Sequence, residues 1–162
     1  MRHEAFMRVC LALGRKAWRQ GEVPIGSLIV RQRDGCILGF GCNLTETEQC
    51  VTKHAEMQAI EAASICTGSW RLNSYGSVTL YTTVEPCIMC LGASLLSRID
   101  TVVFGAENHK FGGTKRVLQE YDVALNHSIQ IIGGVLEEEC ADIMTSFFKE
   151  RRRSNALRCA DP

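Results

Sequence analysis

Two short groups of side chains in this sequence have the types and the spacing that bind a metal ion. His54-Ala55-Glu56 places an imidazole two residues before a carboxyl group, and Pro86-Cys87-Ile88-Met89-Cys90 places two thiols three residues apart. On a helix with 3.6 residues per turn, this separation puts both sulfurs on one face, about 60° apart. Imidazole nitrogen and thiolate sulfur are ligands that Zn²⁺ prefers. The candidate metal ligands are therefore His54, Cys87 and Cys90.

Three protein ligands would leave the fourth position of a tetrahedral zinc ion to water, whose pKa falls to about 7 there. Glu56 is then free to act as a base and later as an acid. It would accept the proton of that water, deliver it to a ring nitrogen beside the attacked carbon, and protonate the departing amine. The pattern predicts hydrolytic deamination with Glu56 as the catalytic residue.

Two other interpretations use the same residues. Cys50 lies four residues before His54 and could supply a fourth ligand, which would make the zinc site closed and structural. The thiols of Cys87 and Cys90 could instead form a redox dithiol, which needs a reversible disulfide and a reactive leading thiolate. Because neither interpretation gives Glu56 a task, the catalytic zinc site is the preferred hypothesis.

Secondary structure must hold these residues, and the pattern of apolar positions predicts it. Apolar side chains at three- and four-residue steps indicate helices, β-branched runs indicate strands, and Asp34-Gly35 indicates a hairpin turn. The predicted order is a helix at 6–20, strands at 25–30 and 36–40, a helix at 55–66, a strand at 78–82, a helix at 87–96, strands at 101–104 and 129–132, and a helix at 137–153.

Two of the predicted helices begin at the candidate ligands. Pro86 can open a helix because its missing amide proton would have no partner there. The unpaired N–H groups of a helix N-terminus lower thiol pKa values and so favour thiolate ligands. Residues 87–96 are almost wholly apolar, so we expect this helix to be buried on nearly all sides.

A hairpin followed by alternating helices and strands predicts an α/β fold. We expect a three-layer αβα sandwich, in which a mixed five-stranded sheet carries helices on both faces and both ligand groups meet at one edge. The length of 162 residues suits one domain without a linker. That single domain is predicted to span residues 1–162 and to have a basic C-terminal helix ending near residue 153.

Charge and cysteine content limit the partners and the compartment. The formal net charge is zero, so contact with a polyanion must come from a local patch, and Lys149 with Arg151–Arg153 forms the densest basic run. The alternative is that these charges complement the last turn of a solvated helix. Nine irregularly spaced cysteines indicate reduced thiols, and the absence of a signal or membrane-spanning pattern predicts a cytoplasmic protein.

The His-x-Glu and Pro-Cys-x-x-Cys groups resemble the cytidine/deoxycytidylate deaminase superfamily. Within it the chain is similar to the bacterial tRNA-specific adenosine deaminases, and the similarity covers nearly the whole sequence. The similar stretches, in order, are Ala17-Trp18, Glu22-Val23-Pro24-Ile25-Gly26, Trp70-Arg71-Leu72, Val84-Glu85-Pro86, Ser97-Arg98-Ile99, Val102-Val103-Phe104-Gly105-Ala106, Asn126-His127, Glu139-Cys140-Ala141 and Phe147-Phe148-Lys149-Glu150-Arg151-Arg152.

The resemblance implies a cytidine deaminase-like fold, a homodimer and one Zn²⁺ per subunit. It implies that adenosine at the wobble position of the tRNA anticodon becomes inosine, with Glu56 shuttling protons. Asn43 matches the family asparagine that hydrogen-bonds the flipped nucleotide, and the backbone at Ala55 lies where the base is received. Asn108 stands where many relatives have aspartate in the loop approaching the nucleotide, and Lys110 follows it.

In the similar enzymes the end of the last helix meets the anticodon arm. The candidate RNA contacts are therefore Phe148, Arg151, Arg152 and Arg153, although Phe148 also suits a core position. Two other functions share the metal motif: deamination of a free guanine or cytidine, and a non-catalytic zinc-binding partner subunit. The basic last helix favours RNA over a free base, and Glu56 favours catalysis over a passive partner.

Overall fold

The structure, a computed structural model, describes residues 2–114 and 127–158, without the side chains of Tyr75, Leu157 and Arg158. Every helix and strand that the sequence predicts is present. Asn126, which belongs to one of the stretches similar to the family, lies outside the described residues. The elements are α1 (Arg2–Arg19), β1 (Gly26–Arg31), β2 (Ile37–Cys42), α2 (Ala55–Thr67), a 3-10 turn (Leu72–Tyr75), β3 (Val78–Val84), α3 (Ile88–Leu96), β4 (Thr101–Ala106), β5 (Gln130–Ile132) and α4 (Glu137–Arg158).

The five strands form one mixed sheet in the order β2-β1-β3-β4-β5. β1 pairs antiparallel with both β2 and β3, whereas β3, β4 and β5 run parallel. The carboxyl ends of β2, β3 and β4 consequently meet at one edge of the sheet. This edge, which the sequence predicts as the place where the two ligand groups meet, carries the candidate site.

Alternate residues of the central strands face opposite layers, as the period of a strand requires. Leu28, Tyr81 and Val103 belong to the core beneath α1 and α4. Ile29, Leu80 and Val102 belong to the core beneath α2. Each fully buried side chain of this size contributes about 1.5–3 kcal/mol, and the two cores confirm the three-layer αβα sandwich.

Close packing of α2 on β2 places the start of that helix. A Cβ added at Gly41 would meet the backbone of Ala55 and the side chain of Gln58, and one at Gly39 would meet the backbone of Ala59. Only glycine therefore allows the helix axis to approach the strand this closely. The first turn of α2 is thereby held beside the end of β2.

The prediction that the third helix is buried on nearly all sides is wrong. Ile88 and Leu96 are 54% and 70% exposed, whereas Cys90, Leu91 and Leu95 are buried. Within a single chain only one face of α3 packs on the sheet, and an apolar pattern does not say what covers the other face. The last helix also differs, since it continues more than one turn past residue 153 to Arg158. Among the described helices, none has the length and hydropathy needed to cross a membrane.

Candidate metal centre and active site

The three predicted metal ligands converge at the starts of two helices. His54 is the N-cap residue of α2, Cys87 is the N-cap residue of α3, and Cys90 lies in the first turn of α3. His54 Nδ1 lies 3.6 Å from Cys87 Sγ and 3.5 Å from Cys90 Sγ. A tetrahedral zinc ion with ordinary bond lengths separates nitrogen and sulfur ligands by roughly 3.5 Å. The donor set and its spacing therefore fit Zn²⁺.

The two thiols differ in how readily they ionise. The hydrogen bond from Cys90 lowers the pKa of Cys87 to about 4 against the opposing effect of burial, and His54 adds to the lowering. The same bond, together with burial, raises the pKa of Cys90. The hydrogen bond to Cys87 also raises the pKa of His54. The arrangement therefore favours a thiolate at Cys87, which is the form of the side chain that binds a metal ion.

Glu56 lies in the first turn of α2, beside the candidate ligands but not among them. Its side chain is buried, and its Oε2 atom has no hydrogen-bond partner within the described residues. Burial raises the pKa of this carboxyl group to about 6. A buried oxygen without a partner is costly in a folded protein. The unpaired atom indicates a place where a water molecule or substrate completes the hydrogen bonding.

Cys50 does not join the metal ligands. Its Sγ lies 3.2 Å from Thr52 Oγ1, and the ligand atoms that lie within 4.8 Å of one another belong to His54, Cys87 and Cys90. No other such group of three occurs in the parts of the chain that the structure describes. The closed structural site therefore lacks its fourth ligand, and contact of both thiols with His54 disfavours a simple redox dithiol.

The loop of residues 43–54, which joins β2 to α2, is anchored by a buried carboxylate. Asn43 Nδ2 donates a hydrogen bond of 2.9 Å to Glu22 Oε2, and the backbone N–H of Thr47 donates one of 2.6 Å to Glu22 Oε1. Thr45 Oγ1 donates to Asn43 Oδ1 at 3.0 Å. Burial alone would raise the pKa of Glu22, but the bonds from Thr47 and Asn43 outweigh it and lower that pKa.

A second buried carboxylate anchors the loop of residues 107–114. Glu85 accepts backbone N–H bonds from Asn108 at 3.0 Å and Thr114 at 3.2 Å, and it also accepts the Thr114 hydroxyl. A Cβ at Gly112 would collide with this carboxylate. Gly113 donates to the carbonyl of Pro86 at 2.8 Å, so the loop lies directly against the start of the Cys87 segment.

Sequence reasoning gave Glu22 and Glu85 no individual role. Each stands beside apolar residues, in Gly21-Glu22-Val23 and Val84-Glu85-Pro86, and each is buried. A carboxylate inside an apolar run must find hydrogen-bond donors if the run is buried. That pattern was the available signal for both residues.

The predicted substrate residues lie in these two loops or directly after the first of them. Asn43 begins the first loop and Ala55 directly follows it as the buried first residue of α2. Asn108 lies in the second loop, where its Oδ1 accepts a 3.1 Å bond from the N–H of Phe111. Lys110 is exposed in the same loop. The four candidates therefore lie in or directly after the loops that flank the two metal-binding segments.

The candidate RNA contacts divide between two surfaces. Lys110, Phe148 and Arg152 line one groove of about 400 Å³ between the second loop and α4. Arg151 instead lies 3.9 Å from Glu46 and over the ring of Phe147. Phe147 is 5% exposed and belongs to the interior, whereas Phe148 is 40% exposed. Arg153 is exposed on the same helix.

Comparison with known proteins links this site to deaminases. A family model described as the cytidine and deoxycytidylate deaminase zinc-binding region matches residues 1–106. The tRNA-specific adenosine deaminase of Bacillus subtilis is 44% identical to this chain, over 93% of it and 91% of the relative.

Solved structures show the same similarity. One from studies of A-to-I editing by tRNA:A34 deaminases at the wobble position of transfer RNA is 33% identical, has a TM-score of 0.77, and matches 86% of this chain and 98% of the other. The guanine deaminase of Bacillus subtilis is 30% identical with a TM-score of 0.62, over 94% and 95% of the two chains.

Proposed function

This chain belongs to the cytidine and deoxycytidylate deaminase family, and on that premise we propose that it converts adenosine to inosine at the wobble position of the tRNA anticodon. The observation that carries the proposal is the buried Glu56 carboxylate beside the His54, Cys87 and Cys90 cluster, whose Oε2 atom has no hydrogen-bond partner among the described residues. Relatives that act on tRNA are more than 40% identical over nearly the whole chain.

His54, Cys87 and Cys90 would hold one zinc ion per subunit. When bound, zinc supplies Lewis acidity and acidifies a coordinated water. Glu56 takes one proton from the attacking water and passes it to the purine ring nitrogen beside C6. The same carboxylate then takes the proton of the new C6 hydroxyl and delivers it to the exocyclic nitrogen. The C6–N6 bond breaks, ammonia leaves, and a C6 carbonyl remains. A pKa of about 6 suits both directions of transfer.

The two anchored loops would receive the nucleoside. Asn43 and the backbone at Ala55 would contact the flipped nucleotide from one loop, and Asn108 and Lys110 would contact it from the other. Adenosine must leave its stack to reach the metal centre, which costs least in a single-stranded loop. An anticodon loop meets this requirement.

The groove lined by Lys110, Phe148 and Arg152 would contact the RNA that flanks the edited base. The cationic side chains of Lys110 and Arg152 suit phosphates, and the exposed ring of Phe148 suits a stacked base. Arg151 and Arg153 would add contacts along the helix. The proposed substrate is therefore the anticodon arm of tRNA, and the proposed compartment is the cytoplasm.

We extend the proposal to assembly and domain organisation. The exposed apolar face of α3, with Ile88 and Leu96, suits burial against a second copy of this chain. A homodimer of one-domain subunits, each spanning residues 1–162, would bury it.

The nearest rival function is deamination of a free base, and the similarity to a guanine deaminase is the observation in its favour. A direct assay decides between the two functions. Purified protein is incubated with an adenosine-34 tRNA transcript, the same transcript with guanosine at that position, free adenosine and free guanine. Nucleoside analysis should reveal inosine from the first substrate alone. Ammonia release from free guanine without inosine in tRNA would establish the rival.

A further inference from the structure

Glu22 makes a contact whose chemistry allows only one arrangement of its partner. We infer that Glu22 is a positioning residue that fixes the side-chain amide of Asn43, so that Asn43 presents one N–H and one carbonyl lone pair to the nucleoside in a single orientation. The inference deepens the proposed function and rests on it for the identity of the ligand.

Hydrogen-bond inventory supports this orientation. An ionised carboxylate can only accept, and the Oε1 atom of Glu22 already accepts the backbone N–H of Thr47 at 2.6 Å. The Oε2 atom, 2.9 Å from Asn43 Nδ2, must therefore face the NH₂ group of Asn43 and not its oxygen. Thr45 Oγ1 occupies one lone pair of Asn43 Oδ1. One N–H and one lone pair of Asn43 remain for a ligand.

Burial makes the arrangement rigid. Glu22 is 0% exposed and Asn43 is 5% exposed, so water does not compete for their hydrogen bond. The lowered pKa of Glu22 is consistent with a carboxylate that stays ionised and keeps its acceptor role. Asn43 lies just beyond β2, which approaches the start of α2 at Gly41. A change at Glu22 therefore reaches the nucleoside through the Asn43 amide.

The variant Glu22→Gln replaces one acceptor oxygen of residue 22 with a donor NH₂ group and leaves the side-chain volume almost unchanged. The oxygen of the introduced amide can still accept the Thr47 N–H, but the NH₂ group of that amide then faces the NH₂ group of Asn43. The two NH₂ groups repel each other unless the Asn43 amide turns by about 180°. That turn exchanges the positions of the donor and the acceptor that Asn43 offers to the nucleoside. Loss of correctly placed hydrogen bonds should lower kcat/KM for tRNA by about 10- to 100-fold.

The decisive experiment is a double-mutant cycle measured with holoenzyme and the tRNA transcript. If Glu22 acts through Asn43, Glu22→Gln lowers kcat/KM in the wild-type background but adds no further loss to Asn43→Ala. The same loss in both backgrounds would overturn the inference. Glu48→Gln is the matched control, since Glu48 lies in the same loop but pairs with Lys53 at the surface.

A second measurement tests the contact without using activity. In nitrogen-15 NMR spectra, the side-chain amide protons of Asn43 should exchange slowly with solvent in the wild type and should shift in Glu22→Gln. The double variant Glu22→Gln with Asn43→Asp restores a donor–acceptor pair and should recover the melting temperature lost in Asn43→Asp alone. Rapid exchange in the wild type, or no recovery, contradicts the inference. Absence of inosine with the wild-type enzyme contradicts the proposed function instead, whatever the NMR result.

Discussion

At the scale of single residues, the chemistry depends on how Glu56 differs from the metal ligands beside it. The ligands are stabilised by one another, whereas the Oε2 atom of Glu56 is buried without a partner among the described residues. A buried polar atom without a partner lowers the stability of the folded protein, and such atoms are found mainly at active sites. Its position and its raised pKa both suit repeated gain and loss of a proton.

Glu56→Gln should lower the rate of inosine formation by about 10²- to 10⁴-fold, because the amide cannot carry a proton. Zinc content should stay at one ion per subunit, since Glu56 is not a ligand. Single-turnover kinetics and elemental analysis measure both quantities. Glu61→Gln is the control, because Glu61 is exposed on the same helix. Equal rates in wild type and Glu56→Gln would remove Glu56 from the mechanism.

Sequence reasoning predicts the clustering of His54, Cys87 and Cys90 because each lies within a short motif. It does not predict the partners of Glu22 and Glu85, because those partners are distant in sequence. Glu22 binds Asn43 across 21 residues, and Glu85 binds Thr114 across 29. These carboxylates and their donors come together only at the edge of the folded sheet. Their spacing along the chain therefore does not predict the hydrogen bonds.

At the scale of elements, the second loop and α4 together form the proposed RNA surface. The sequence grouped Arg151, Arg152 and Arg153 as one basic run, but successive helix residues point about 100° apart. The structure accordingly places Arg152 in the groove with Lys110, and Arg151 near Glu46. Helical periodicity separates a run of like charges into different surfaces.

Lys110→Ala combined with Arg152→Ala should weaken tRNA binding and reduce the slope of log affinity against log salt by about 2, one per lost phosphate contact. Filter binding over a range of salt concentrations measures both effects. Arg33→Ala, at the hairpin turn, serves as the control for removal of a surface charge. The groove is not an RNA surface if the slope of the double variant matches that of the wild type.

At the scale of the whole molecule, the proposed homodimer would account for the apolar pattern of α3, which the single chain covers on one face only. The sequence predicted burial on nearly all sides of this helix, and the fold buries one face only. Exposed apolar side chains on one helix, here Ile88 and Leu96, suit an interface with an apolar partner. In the proposed homodimer, a second copy would cover the apolar face that the single chain leaves exposed.

Leu96→Glu should convert a dimer into a monomer, because it would bury a charge in an apolar contact. Sedimentation equilibrium measures the mass at micromolar concentrations. Val9→Glu is a matched control, since Val9 is 40% exposed on α1, in the opposite layer. A wild-type protein that is monomeric at these concentrations would argue against the assembly.

The Glu22 anchor also has a consequence for acid tolerance. Its folded-state pKa lies below the ordinary value of 4.5, so its contribution to folding is complete above the unfolded pKa and declines as pH falls through the folded one. The loop that carries Asn43 therefore stays attached through neutral and mildly acidic media. We therefore expect the pH dependence of turnover in those media to follow a titrating group other than Glu22.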